Sequence, residues 1–193
     1  MKDAGLHGTE PPSEWVKRWS HLVVPQGHVL DVASGHGRHA YYFYHANHHV
    51  TVVDRAQAAI DSIAIPTYAC EKVAADIENG PWPFVGQQFD AIVVTNYLWR
   101  PLMPTLLASL APGAVLIYET FAQGNETVGK PSRPDFLLRP GELLETFKDL
   151  RVVAFEDGFV AGAVEQTARF VQRIAAVREV CINRLPARYP LPS

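Results

Sequence analysis

The sequence predicts a three-layer α/β protein with a mostly parallel, seven-stranded central sheet that contains one antiparallel strand. Apolar, strand-like runs alternate with helix-like stretches as far as residue 120, a pattern typical of a parallel sheet with helices on both faces. The run at 89–95 is almost wholly apolar, as a strand buried on both faces should be. Two further runs, 151–160 and 166–178, resemble a hairpin that supplies the antiparallel strand.

Local signals place the other elements in order. Ser13 can cap a helix over 13–22, in which Trp15 and Trp19 lie four residues apart and so share a face. Further helices are expected at 37–46, 55–63, 101–110 and 140–149. The strands before the hairpin are expected at 28–33, 49–54, 72–76, 89–95 and 113–119. Between them and the hairpin, 122–140 is rich in proline and glycine, and a compact domain seldom carries such a long irregular segment without a use.

Length and composition favour a single domain over residues 1–193. We expect an N-terminal lid helix (1–22), a core (23–180) and a loose, proline-rich tail (181–193). The net charge of −3 gives no field that favours nucleic acid or an anionic membrane, and no apolar run has the length of a signal peptide or a membrane span. We therefore expect a cytoplasmic monomer or homodimer with no nucleic-acid or membrane partner.

The segment VLDVASGHGRH, residues 29–39, is the most informative part of the chain. A strand must turn sharply into a helix here, and Gly35 and Gly37 let the backbone approach a ligand closely. Asp31 lies at the end of the strand, where it can accept a hydrogen bond or pair with a cation. A glycine turn beside an acid suits a positively charged nucleoside better than a ligand that carries phosphates.

Two more acids end predicted strands, and the carboxyl ends of such strands are where doubly wound sheets bind ligands. Asp54 suits a bidentate bond to ribose hydroxyls, and Asp76 can accept from an exocyclic amine such as that of adenine, with Ile77 against the base. Each acid also has a plainer interpretation. Asp31 can cap the turn, Asp54 can cap the following helix, and Asp76 can be an ordinary loop acid.

A dinucleotide site is the main alternative. Residues 35–40 satisfy G-x-G-x-x-G/A, and Asp54 lies near the distance expected of a ribose acid in NAD sites. Against NAD, Asp31 would bring negative charge close to a pyrophosphate, and Asp76 would have no clear role. The chain also has no room for a separate catalytic domain, and it has no Tyr-x-x-x-Lys pair.

With these residues in place, the chain resembles the class I S-adenosylmethionine-dependent methyltransferases, which have a Rossmann-like fold. The resemblance covers about residues 28–178. It rests on the loop DVASGHG, the acid Asp54, the pair Asp76-Ile77 and the unit LLASLAPGAVLIYE, a helix, Pro-Gly turn and strand. One glycine of the usual D-x-G-x-G-x-G loop is replaced by Ala33. Within the class, the chain is similar to small bacterial tellurite-resistance-like methyltransferases. This resemblance does not indicate which substrate is methylated.

The resemblance implies S-adenosylmethionine as methyl donor and S-adenosylhomocysteine as product. It places Asp31 near the methionine amino group, Gly35 and Gly37 under the methionine and ribose, and Asn96 beside the methionine end. The expected donor-binding residues are Asp31, Ala33, Gly35, Gly37, Asp54, Arg55, Asp76, Ile77 and Asn96.

Methyl transfer from a sulfonium is an in-line displacement, so the protein mainly holds donor and acceptor together and excludes water. Tyr97 can orient or deprotonate a small-molecule acceptor, or simply pack. Glu119 can act as a base if burial raises its pKa, or serve a structural role. The expected acceptor-binding residues, which include the two tryptophans of the lid, are Trp15, Trp19, Tyr97, Trp99, Arg100, Phe121, Phe136 and Arg139.

Two arginines and two groups of histidines each have more than one interpretation. Arg100 and Arg139 can select an anionic substrate or be solvated surface residues. The spacings His36-x-x-His39 and His45-x-x-His48-His49 suit a metal, but no carboxylate or cysteine nearby in sequence completes a set, so no metal site is expected. A protein of the same fold that binds the donor without turnover is the alternative from another functional class.

Overall fold

Seven strands form one sheet in the computed structural model, which describes residues 10–162, 168–179 and 187–192. The strands are β1 His28–Val32, β2 His49–Asp54, β3 Cys70–Ala74, β4 Phe89–Thr95, β5 Leu110–Phe121, β6 Arg151–Val160 and β7 Arg169–Val177. The α-helices are α1 Glu14–Trp19, α2 Arg38–His45, α3 Gln57–Ser62, α4 Met103–Ser109 and α5 Glu142–Thr146. Short 3-10 turns lie at Ser20–Leu22, Arg100–Leu102, Asn125–Thr127 and Pro134–Phe136.

The strand order is β3-β2-β1-β4-β5-β7-β6, with β7 antiparallel to both of its neighbours and the other pairs parallel. The predicted fold class is therefore confirmed, including the single antiparallel strand supplied by the C-terminal hairpin. The chain order reverses where β1 lies between β2 and β4. Sheets of this kind bind ligands at the carboxyl ends of the strands beside such a reversal.

Two apolar clusters cover the two faces of the sheet. Because successive side chains of a strand point to opposite faces, Leu30 and Val29 of β1 belong to different clusters. The Leu30 cluster contains residues of α4 and α5, and the Val29 cluster contains residues of α1, α2 and α3. Helices thus cover both faces, which produces the three predicted layers.

Several predicted boundaries were wrong. The third strand ends at Ala74, so Asp76 follows it by two residues instead of closing it. The fifth strand begins at Leu110, so the predicted Pro-Gly turn lies inside β5. There the pairing with β4 shifts register, and Gly113, with φ +86°, donates its N–H to Arg178 O at 2.7 Å. The Pro-Gly pair therefore bends a continuous strand.

The two ends of the chain pack against the sheet where they are described. Ser13 caps α1 as predicted, accepting a hydrogen bond from Trp15 N at 3.1 Å. In the tail, Tyr189 packs against the Val29 cluster, and His21 donates to Pro190 O at 3.0 Å. Residues 163–167, which come between the two hairpin strands in sequence, and much of the predicted tail lie outside the described residues.

Candidate functional site

The carboxyl ends of β1 to β4 open onto a cavity of about 290 Å³, called the edge cavity below. It is lined by Ala33, Asp54, Arg55, Asp76, Ile77, Glu78, Tyr97 and Phe136. The sequence predicted every one of these residues for donor or acceptor binding except Glu78. The first six follow β1, β2 and β3, Tyr97 follows β4, and Phe136 comes from the irregular segment after β5. Residues up to 103 positions apart in sequence therefore meet at one edge of the sheet.

The turn from β1 to α2 passes through the left-handed region at Ala33, Gly35 and Gly37, with φ of 53°, 54° and 78°. Ala33 accepts this conformation although it has a Cβ, which costs about 1 kcal/mol relative to glycine. A Cβ at Gly37 would lie 2.9 Å from Ile63 Cδ1. A side chain at position 37 would therefore crowd Ile63 at the end of α3 and would also strain a backbone with φ of 78°.

Asp54 joins the turn to β2. Its Oδ2 accepts from Gly35 N at 2.8 Å, and its Oδ1 accepts from Ala56 N at 2.8 Å. The N-cap of α3 is Ala56, and no side chain caps this helix, so Asp54 holds the turn that leads into α3 instead of capping it. A carboxylate has about four acceptor positions, so two of them remain available toward the edge cavity.

Asp76 organises the loop after β3. Its Oδ1 accepts from the backbone N–H groups of Glu78 and Asn79 at 2.9 and 3.0 Å, and its Oδ2 accepts from Asn79 Nδ2 at 3.0 Å. These hydrogen bonds hold the pKa of Asp76 below its usual value, and the one from the Asn79 side chain has the largest effect. The carboxylate is therefore ionised at neutral pH and faces the cavity as an acceptor.

Asp31 is the least satisfied acid of the site. It is 1% exposed, and its Oδ2 has no hydrogen-bond partner among the described residues. Burial raises its pKa to about 7, against the opposing effects of the Arg38 charge and the Ala40 N–H. Carboxylates are rarely buried without a partner because desolvation of the charge is costly. The geometry suits a cationic group that would lie against Oδ2.

Tyr97 and Glu78 form one wall of the edge cavity. Burial, followed by the charge of Glu78, raises the pKa of the Tyr97 phenol above its ordinary value. Tyr118 OH fixes the backbone here by donating to Tyr97 O at 3.0 Å. The Tyr97 hydroxyl therefore keeps its proton at neutral pH, and it is suited to donate a hydrogen bond rather than to remove a proton.

Glu119 lies away from the edge cavity, at the end of β5. It is 2% exposed and forms a buried ion pair with Arg173 of β7. Ser13 Oγ donates to its Oε1 at 2.9 Å. Arg173 also pairs with Glu156 of β6 at 3.0 Å. These partners match the structural role that the sequence left open, since the carboxylate joins α1, β5 and β7.

The structure separates the predicted acceptor residues into two groups. Phe136 lines the edge cavity with Tyr97, and its side chain is 42% exposed. Trp15 and Trp19 are 3% and 2% exposed and pack edge to face inside the Val29 cluster, so they do not cover the cavity as the predicted lid. The other predicted acceptor residues that do not line it are Trp99, Arg100, Phe121 and Arg139. Of the predicted donor residues, those that do not line it are Asp31, Gly35, Gly37 and Asn96.

Among the described residues, no three histidine, cysteine or acidic side chains are placed to hold a metal ion. His39, from one of the predicted histidine pairs, is 1% exposed, and its Nε2 accepts from Ser13 N at 3.1 Å. Burial, with a smaller effect of Arg38, lowers its pKa to about 3. His39 is therefore a neutral residue that helps to anchor α1. None of the described helices has the length and apolar character of a membrane span.

Residues 29–113 match the family model of a methyltransferase domain. Over these 85 of the 193 residues, the chain is similar to methyltransferase domains. The matched region contains the glycine turn and the three acids, and it ends inside β5. The methyltransferase domain match therefore includes most of the edge cavity, whereas Phe136 and the Glu119 ion pair lie beyond it.

Solved structures that share this fold include the following three. TehB from Haemophilus influenzae is 18% identical, with a TM-score of 0.71, and the alignment covers 89% of this chain but only 63% of TehB. A SAM-dependent methyltransferase from Methanosarcina mazei is 14% identical, with a TM-score of 0.66 and coverage of 89% and 100%. The glycopeptide N-methyltransferase MtfA, complexed with S-adenosylhomocysteine, is 15% identical, with a TM-score of 0.58 and coverage of 85% and 88%. No curated protein matches the sequence significantly.

Proposed function

We propose that this chain binds S-adenosylmethionine in the edge cavity and transfers its methyl group to a small-molecule acceptor. The observation that carries the proposal is the meeting of Ala33, Asp54, Asp76, Ile77 and Tyr97 around one cavity at the reversal of strand order. Its volume of about 290 Å³ is close to the lower end of the range for small-molecule sites. The methyltransferase-domain match to the residues around the cavity supports the same assignment.

The chemistry of the residues fits this donor. Asp31 supplies a buried oxygen, Oδ2, that has no hydrogen-bond partner among the described residues, which suits the positively charged methionine amino group. Asp54 keeps acceptor positions for the ribose hydroxyls, and Asp76 with Ile77 can receive the adenine. The bound donor supplies a methyl group that is already activated by the sulfonium. MtfA, which has the same fold, is described in complexes with S-adenosylhomocysteine and S-adenosylmethionine.

In this proposal the protein contributes position and exclusion of water more than proton transfer. Tyr97 would act as a hydrogen-bond donor that orients the acceptor, because its phenol stays protonated. Glu119 is held by Arg173 and Ser13 outside the edge cavity, so we do not propose it as the base. The acceptor should therefore present its own free lone pair at neutral pH. The net charge of −3 supports a small molecule over nucleic acid.

Calorimetric titration with S-adenosylhomocysteine tests donor binding. We expect the wild type to bind and Asp54→Ala to bind more weakly by about 1–3 kcal/mol, the cost of leaving buried hydrogen-bonding groups without partners. Asp61→Ala is the matched control, since Asp61 is an exposed acid of α3 whose carboxylate accepts from Gln57 Nε2 at 2.8 Å. No binding by the wild type, or equal binding by Asp54→Ala, would contradict the proposal.

Two parallel measurements separate the alternatives. Titration with NADH tests the dinucleotide site, and binding of NADH in place of S-adenosylhomocysteine would replace the proposed donor. Mass spectrometry of a panel of thiols, amines and hydroxyl compounds incubated with S-adenosylmethionine tests transfer. Donor binding without methylation of any acceptor would favour the binding protein without turnover.

A further inference from the structure

Arg100 lies just after β4, and its guanidinium is surrounded by acceptors. Its Nε and Nη2 donate to the two carboxylate oxygens of Glu142 at 2.6 and 3.0 Å. Its Nη1 donates to Asp135 O at 2.8 Å, and its Nη2 also donates to Leu137 O at 2.9 Å. A guanidinium has five N–H donors, and four of them are used here. Arg100 is therefore poorly placed to select an anionic substrate.

The two carbonyl groups held by Arg100 flank a single residue, Phe136. This residue ends the 3-10 turn Pro134–Phe136 and lines the edge cavity beside Tyr97. Its side chain is 42% exposed, which leaves part of its surface for a ligand to cover. The hydrogen bonds of Arg100 thus fix the backbone on both sides of an aromatic ring at the cavity wall.

Glu142 fixes the position of the Arg100 guanidinium. It is the first residue of α5, it is 4% exposed, and its Oε2 also accepts from Arg139 N at 2.8 Å. Burial acts to raise the pKa of Glu142, but the hydrogen bonds from Arg100 and Arg139 outweigh it, so the net effect is a lowered pKa. Next to it, Leu143 N donates to Gln172 Oε1 of β7 at 3.0 Å. The pair of hydrogen bonds between Arg100 and Glu142 therefore connects the turn around Phe136 to a fixed part of the core.

We propose that Arg100 is a positioning residue that holds Phe136 as an aromatic wall over the nucleoside part of the bound donor. This inference rests on the proposed function, because the ligand is the one proposed for the edge cavity. Phe136 shares that cavity with Asp54, Asp76 and Ile77, the residues proposed for ribose and adenine. Lysine has the charge of arginine without the planar fork, so Arg100→Lys separates positioning from simple charge.

A double-mutant cycle on S-adenosylhomocysteine affinity tests the inference. Phe136→Ala should weaken binding about tenfold, within the range for loss of an aromatic–base contact. Arg100→Lys should weaken it by a similar factor, and the double variant should be no weaker than Phe136→Ala alone. This non-additivity is expected only if Arg100 acts through Phe136. Arg151→Lys, the same change at an exposed arginine, is the control.

The same variants are titrated with 5′-methylthioadenosine, which lacks the amino-acid part of the donor. We expect the losses to persist, because Phe136 is assigned to the nucleoside. Losses that vanish with this probe, additive losses, or unchanged binding by Arg100→Lys would each overturn the inference. A wild type that fails to bind either compound would instead overturn the proposed function.

Thermal unfolding of each variant gives the folded fraction at the assay temperature. If Arg100→Lys is not folded at that temperature, Glu142→Gln replaces it in the cycle, because it weakens the ion pair between Arg100 and Glu142 by changing the carboxylate instead of the guanidinium. Glu142→Gln should then weaken binding in the wild type and have no further effect in the Phe136→Ala background. An equal loss in both backgrounds would overturn the inference.

Discussion

Two buried acids lie in comparable positions at the carboxyl edge of the sheet, one at the glycine turn and one at the β5–β7 end. Asp31 on β1 and Glu119 on β5 are 1% and 2% exposed. Glu119 has an arginine and a serine as partners, whereas Asp31 Oδ2 has none among the residues that the structure describes. One acid is paired within the protein, and the other is the acid that we propose to pair with a ligand.

The effect of a buried acid on stability depends on whether the protein pairs it. A paired buried acid contributes to the fold, and removal of one partner strands the other charge. An unpaired buried acid reduces stability, so its presence requires another explanation, which a ligand supplies. The comparison therefore predicts opposite effects of substitution at the two positions.

The largest expected effect is at Glu119. Glu119→Ala should lower the free energy of unfolding by about 3–5 kcal/mol, because it leaves the mostly buried Arg173 without its main partner. Glu156→Ala removes the other, 45% exposed partner of the same arginine, and should cost at most about 1 kcal/mol. Urea unfolding of both variants checks the difference. Equal costs would mean that the buried pair is no more important than the exposed one.

At Asp31 the sign should reverse. Asp31→Asn should raise the free energy of unfolding at pH 8 by at most about 4 kcal/mol, because it removes a buried charge whose pKa is raised by about three units. It should also weaken S-adenosylhomocysteine binding about 10- to 100-fold, as expected for loss of a charged hydrogen bond. Chemical unfolding and calorimetry measure the two effects. A variant that is less stable at pH 8 and binds normally would contradict the comparison.

Asp31 also predicts a dependence on pH. Since its pKa is about 7 in the folded protein and near 3.8 when unfolded, the folded state holds the proton more tightly. Stability should therefore fall as pH rises from about 4 to 7, and the Asp31 contribution should be constant above that. Affinity for the cationic amino group should change the other way, rising about tenfold from pH 6 to pH 8. Asp31→Asn should lose both dependences, as titration and melting at several pH values can show.

The smallest expected effect is at Ser13, which links α1 to Glu119. Ser13→Ala removes both the cap of α1 and a hydrogen bond to the carboxylate, and should lower the free energy of unfolding by about 1–2 kcal/mol. Ser13→Thr keeps the hydroxyl and should cost less. Thermal melting compares the two variants, and an equal loss would show that the hydroxyl does not provide the link.

The order of the strands along the chain was predictable because apolar periodicity is a local signal, and so was the position of Asp31 and Asp54 at the ends of their strands. Asp76 was predicted to close the third strand but lies two residues beyond it. The Pro-Gly pair was misassigned as a turn because continuation of β5 depends on its pairing with β4 and on Arg178, more than 60 residues away. The residues next to the Pro-Gly pair in sequence do not indicate these long-range contacts.

The edge cavity was largely predictable for the same reason, since strand ends meet at one edge. Glu78 was missed, although its place two residues after Asp76 was the available signal. The partners of Glu119 and Arg100 were not predictable, because Arg173 and Glu142 lie 54 and 42 positions away. The tryptophans were predicted to share a face, but only the packing of α1 shows that this face points into the core.

Ala33 combines a left-handed backbone with a place in the cavity wall. A larger or β-branched side chain there would increase the backbone strain and also take volume from the ligand. Selection for folding and selection for binding therefore exclude the same substitutions at this position. In a saturation library scored separately for folded protein and for S-adenosylhomocysteine binding, position 33 should retain the smallest residues under both criteria.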